Sequence, residues 1–133
     1  MNMLTQRYQF LYDGTGNPGT VLLRLSVENR NGHVLVRAVG ELDMSSAPSL
    51  TTAAEDAFAD GYRLLLLDLS GISFMDSTGL SALLTVHRDA VARDAHAAII
   101  APSQTALRVL EMLGVEQVLN IYPTLDAAVA DLG

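Results

Sequence analysis

The chain has 133 residues, half of them apolar and 17% charged, and contains neither cysteine nor tryptophan. That length suits one domain rather than a multidomain enzyme, and no apolar run is long enough to cross a bilayer as a helix. All eight basic residues are arginines set against fifteen acids, for a net charge of −7. This composition excludes a P-loop or Schiff-base lysine, disulfides and thiolate chemistry, and it repels a nucleic-acid backbone.

Residues 1–20 read as an N-terminal extension to a domain over residues 21–133. Met1 to Phe10 carries one basic residue and no apolar segment of a secretion signal, so a cytoplasmic chain is expected. In the extension Tyr8, Phe10 and Tyr12 alternate with Gln9 and Leu11, and Asp13 to Gly19 is a cluster of turn formers. A frayed arm is the simplest expectation; an extra edge strand and a partner-docking arm are the alternatives.

Val21 to Glu28 reads as a strand with Leu23, Leu25 and Val27 on one face. Asn29-Arg30-Asn31-Gly32 is a turn, and His33 to Gly40 returns as the second strand of an antiparallel hairpin. Ser45-Ser46-Ala47-Pro48 caps a helix that runs to about Asp60 and stops at Gly61, with Leu50, Ala54, Ala57 and Phe58 inward. Arg63 to Leu69 holds four consecutive leucines, the signature of a central strand covered on both faces.

Ser77 to about Arg93 is a second helix with the inner stripe Leu80, Leu83, Leu84, His87 and Val91. Ala97 to Ala101 is a short buried strand. Pro102-Ser103 opens a helix that ends at Gly114, where Leu110 and Val115 can meet. Val118 to Tyr122 is a last strand, and Thr124 caps a helix reaching Leu132. The predicted fold is α/β: a mixed, mostly parallel sheet of four to five strands with an N-terminal antiparallel hairpin and four helices.

Function in such a sheet gathers where strand ends enter helices. Two junctions place carboxylates and hydroxyls there: Gly40-Glu41-Leu42-Asp43-Met44-Ser45-Ser46 and Phe74-Met75-Asp76-Ser77-Thr78-Gly79-Leu80. Ser77 falls at the helix N-cap or in its first turn, where a hydroxyl can simply satisfy a free amide. Phe74 and Met75 just before it are expected in a partly exposed loop. Gly79 costs a helix about 1 kcal/mol, which suggests that something approaches its backbone closely.

A serine nucleophile is disfavoured. Met75 stands where the elbow Gly-x-Ser-x-Gly needs its first glycine, and His33, His87 and His96 are all placed away from Ser77. His87 is read as a satisfied, half-buried histidine. Asp43 and Asp76 could suggest paired acids or a magnesium site, but no third acid or phosphate-binding loop accompanies them, and loop capping is the plainer role.

Gly40-Glu41-Leu42-Asp43 followed about thirty residues later by Asp76-Ser77-Thr78-Gly79-Leu80 resembles the STAS domain family, and more narrowly the bacterial anti-sigma factor antagonists. The resemblance runs from about Leu25 to Leu132 and includes Leu110 to Val115. It departs from the pattern at Ser81, where many members have a second glycine. It implies a STAS-like fold and a partner switch in transcription regulation and stress response, not an enzyme.

By that resemblance Ser77 is phosphorylated by an anti-sigma factor that is itself a serine kinase using ATP. The unphosphorylated form binds that kinase and frees the sigma factor, and a metal-dependent serine phosphatase restores it. The partner-binding positions it implies are Asp43, Ser45, Met75, Asp76, Thr78 and Gly79. No cofactor, metal, nucleic acid or membrane is expected, and the chain is read as a monomer or at most a weak dimer. The alternative is a STAS module that binds a nucleotide or acts as a signalling scaffold without a phosphoswitch.

Overall fold

The computed structural model describes residues 5–10 and 23–133. They form a six-stranded sheet in the order β1-β2-β3-β4-β5-β6. Strands β1 (Thr5–Phe10), β2 (Leu23–Arg30) and β3 (His33–Leu42) are antiparallel neighbours. Strands β4 (Leu64–Met75), β5 (His96–Ile100) and β6 (Asn120–Tyr122) then add in parallel to β3. The helices are α1 (Ala47–Ala59), α2 (Ser77–Ala92), α3 (Gln104–Met112) and α4 (Leu125–Leu132).

The α/β class, the hairpin and the four helices are as expected, and the sheet gains one strand. That strand is β1, paired with β2 from Thr5↔Glu28 to Phe10↔Leu23, so residues 5–10 follow the edge-strand alternative rather than fraying. The expected turn cluster Asp13 to Gly19 and the start of the second strand at Val21 lie outside the described residues. Between β2 and β3, Asn31 and Gly32 have φ of +52° and +86°. Two successive left-handed residues give the turn whose twist matches a hairpin.

The leucine run behaves as a strand buried on both sides. Leu65, Leu67 and Leu69 face the main core with residues of α1, α2 and α3, whereas Leu64 and Leu66 meet Leu35, Ala98, Ile100 and Ala128 of α4. Strand β4 does not stop at Leu69 but continues to Met75. It stays paired with β3 through Gly40↔Ile72, Glu41↔Phe74 and Leu42↔Met75, although β5 leaves it at Asp68. The β3–β4 pair therefore continues past β5, and its last two positions, Glu41↔Phe74 and Leu42↔Met75, also pass the end of β2; it carries both candidate loops.

Two expectations about packing change. The buried stripe of α2 is Gly79, Leu80, Ala82, Leu83, Val86 and Ala90, and Val91 is 61% exposed. Small alanines let the helix lie close to its neighbours, which rotates the inner stripe away from Val91. The last strand starts at Asn120 rather than Val118, because Val115–Gln117 forms a 3₁₀ turn that leaves Val118 exposed. The caps at Ser103 and Thr124 form as read, accepting from the amides of Ala106 and Ala127 at 3.1 Å.

Candidate functional site

The junction between β4 and α2 is built by Asp76, not Ser77. Asp76 is the N-cap, in extended conformation, and its Oδ1 accepts the Gly79 amide at 3.0 Å. A carboxylate so placed satisfies a free amide and also faces the positive end of the helix dipole. Ser77 is thereby released from capping. It is the first residue of α2, its side chain is exposed, and its hydroxyl is engaged by no hydrogen bond among the described residues. Thr78, next to it, is half-buried.

The facing loop leaves β3 at Leu42. Asp43 gathers donors on one carboxylate oxygen: the Ser45 hydroxyl at 2.8 Å, the Ser45 amide at 3.0 Å and the Ser46 amide at 3.3 Å. Partial burial pushes the Asp43 carboxyl up, but the combined hydrogen bonds from Ser45 and Ser46 outweigh it and leave the group below its ordinary 3.8. Asp43 is therefore a fixed anion near neutral pH.

Ser46 lies at the N-cap position of α1, yet its side chain makes no capping bond. Its hydroxyl instead donates to the Glu41 carbonyl at 2.6 Å and accepts the Asp43 amide at 3.0 Å. The expected cap at Ser45-Ser46 is thus a loop closure. Proline in the first turn of α1 already lacks an amide to satisfy, which makes the diversion inexpensive.

The two junctions are stitched together. Ser73 Oγ donates to the Gly40 carbonyl at 3.2 Å, and the Asp76 amide donates to the Leu42 carbonyl at 3.4 Å. A Cβ placed on Gly79 would lie 2.4 Å from that same Leu42 oxygen. The close approach expected at Gly79 is therefore made by the chain itself. This corrects Gly79 as a partner contact: it is buried.

Met75 is corrected likewise. It is 4% exposed and joins the main core, because it ends a paired strand rather than lying in a loop. Phe74, its neighbour, is 46% exposed, and Met44 on the facing loop is 75% exposed. Phe74 is thus partly exposed as expected, and Met44 on the facing loop is the exposed apolar side chain that the sequence does not single out. Asp43, Ser45, Asp76, Ser77 and Thr78 are brought together as expected.

For nucleophilic catalysis the arrangement lacks a base. His33 and His96 begin β3 and β5, at the end of the strands opposite the one that leads to Ser77, and His87 lies mid-way along α2. His87 is half-buried as read, but its Nδ1 has no hydrogen-bond partner among the described residues, which departs from the expectation that it is satisfied. Asp43 and Asp76 both serve local amides, and no group of three or more metal-binding side chains converges among the described residues. What the site offers is an accessible hydroxyl at a helix start, rimmed by carboxylates and two exposed apolar side chains.

Known proteins are similar to this chain in sequence and in fold. The anti-sigma-F factor antagonist RsfB of Mycobacterium tuberculosis is 24% identical over 106 residues, covering 80% of this chain and 86% of that protein. A crystal structure of an anti-sigma factor antagonist from Mycobacterium paratuberculosis superposes with a TM-score of 0.75 at 29% identity, covering 83% of this chain and 93% of that one. The antagonist SpoIIAA in its unphosphorylated form shares the fold with a TM-score of 0.67 at 23% identity, over 79% of this chain and 92% of its own. Its phosphorylated form from Bacillus gives 0.63 at 22%, over 82% and 99%. The STAS domain model matches residues 24–128, from the second strand into the last helix and across both junctions, and the chain belongs to the STAS domain family.

Proposed function

We propose that this chain is an anti-sigma factor antagonist whose unphosphorylated form binds an anti-sigma factor serine kinase and frees the sigma factor, and that phosphorylation of Ser77 ends the binding. A serine phosphatase resets the switch. The chain acts by binding rather than by catalysis. The observation that carries this reading is the Ser77 hydroxyl: exposed, without a hydrogen bond among the described residues, and standing at the start of α2 because Asp76 caps the helix in its place. The names of its relatives and the phosphorylated form of SpoIIAA support the same role.

The physics of the switch is local. A phosphate adds about −1.5 to −2 charge and three acceptor oxygens. At the helix N-terminus it gains about 0.3–1 kcal/mol, while Asp76 opposes it. Neither effect unfolds the domain. In a complex that covers Ser77, the phosphate must instead be desolvated beside Asp43 and Asp76, and ~4 kcal/mol of lost affinity is about a thousandfold. Partner contact falls on Asp43, Ser45, Asp76 and Thr78, with Met44 and Phe74 supplying apolar area.

The test combines the chain with ATP and the serine-kinase anti-sigma factor of its own organism. One phosphate on Ser77 by intact mass and peptide mapping is expected. Ser77→Ala remains folded and binds constitutively, whereas Ser77→Asp and Ser77→Glu bind at least about tenfold more weakly. Equal affinity of the wild type and both acidic variants removes the mechanism. Amide shifts on adding nucleotide alone, with no transfer to Ser77, would point to the nucleotide-binding alternative.

A further inference from the structure

We propose that Ser46 is the positioning residue of the Ser77 face, its buried hydroxyl fixing the Asp43–Ser46 loop against the end of β3 in the form a partner kinase recognises. Ser46, 5% exposed, is the one buried polar residue among the described residues. A serine at the start of a helix ordinarily turns its oxygen toward the free amides of the first turn. This one turns away and ties the loop at two points, the Glu41 carbonyl at 2.6 Å and the Asp43 amide at 3.0 Å. Its oxygen also lies 3.3 Å from Asp43 Oδ1, so the hydroxyl sits within the cluster that orients the Asp43 carboxylate.

The loop so closed is the neighbour of the phosphoacceptor. Three consecutive carbonyls receive donors: Gly40 from Ser73, Glu41 from Ser46 and Leu42 from the Asp76 amide. The first and third donors come from the β4–α2 side. The second, from Ser46, is the only one of the three that the loop itself supplies. Leu42 O also lies where a side chain on Gly79 would have to go, so a displaced loop moves against the first turn of α2. Buried hydroxyls are retained where their bonds are complete, and here the completed bonds define one conformation of Asp43, Met44 and Ser45. Ser46 does not touch a partner. It acts through the three residues that do.

The kinase arm of the test rests on the phosphoswitch reading; an exchange arm does not. With the serine-kinase anti-sigma factor and ATP, Ser46→Ala is expected to raise KM for Ser77 phosphorylation about tenfold with kcat within about twofold, and Ser46→Thr, which keeps the hydroxyl, to restore KM. A KM equal to wild type in Ser46→Ala, a fall confined to kcat, or a threonine variant no better than alanine overturns the proposal. In the wild-type chain alone, the Asp43 amide is expected to exchange with solvent about a hundredfold more slowly than that of exposed Met44. Equal exchange at the two amides overturns the pin, whether or not Ser46→Ala folds. Slow exchange at Asp43 in a chain that takes no phosphate on Ser77 sinks the phosphoswitch and leaves Ser46 as the residue that fixes the loop.

Discussion

Asp76 and Ser77 divide two tasks that a helix start can give to one residue. Asp76 takes the free amide, and Ser77 keeps its hydroxyl for something else. Gly79 completes the junction by omitting a side chain. Gly79→Ala improves intrinsic helix propensity by about 1 kcal/mol but drives a Cβ to 2.4 Å from the Leu42 carbonyl. A net loss of about 1–3 kcal/mol is expected from that overpacking, measured by chemical denaturation, with no gain at any temperature. Asp43 makes a pH prediction. Its carboxyl titrates lower folded than its ordinary 3.8, so its contribution is present above that value and is lost as pH falls through the folded one. Asp43→Asn should therefore be less stable than wild type near neutral pH, with the difference closing on acidification.

The residues of the site were largely legible, but their duties were not. Asp76 and Ser77 are both good caps by residue type, and only backbone conformation chooses between them. Ser46 was legible as a cap because it precedes an Ala-Pro helix start, yet nothing in the string indicates that its oxygen points back to Glu41.

At the scale of elements, the outcome depended on how regular each one is. The leucine run of β4 and the inner face of α1 follow their periods and are legible in the sequence. The sequence shows only the first part of β4, because its pairing with β3 shifts between Arg37 and Val39 and again between Gly40 and Glu41. Such irregularities break the two-residue alternation and conceal the continuation to Met75. The same break hid which of Phe74 and Met75 faces inward. Helix α2 offers the matching test. Leu83 is 2% exposed and Val91 is 61% exposed. Leu83→Ala should cost about 2–5 kcal/mol, while Val91→Ala should stay within about 0.5 kcal/mol of wild type. Equal losses at the two positions would contradict the rotated stripe.

For the whole molecule, the sheet keeps its main core on the α1, α2 and α3 face and a smaller one beneath α4. Ser77 belongs to neither, so the proposed modification should not alter the fold. Protein phosphorylated on Ser77 is expected to melt within about 4 °C of the unmodified form, since a change near 1 kcal/mol moves a midpoint of a domain this size by only a few degrees. A collapse of the thermal transition would show that the phosphate acts on the scaffold instead. Among the described residues no helix is long and apolar enough to cross a membrane.

The ribbon made by the ends of β3 and β4 outruns β5 by the stretch from Leu69 to Met75. The Ser77 hydroxyl, just past the end of that pair of strands and on the first turn of α2, is exposed while anchored to a packed helix and strand. In the switch proposed above, a kinase and a phosphatase would each reach this serine without having to unravel the substrate.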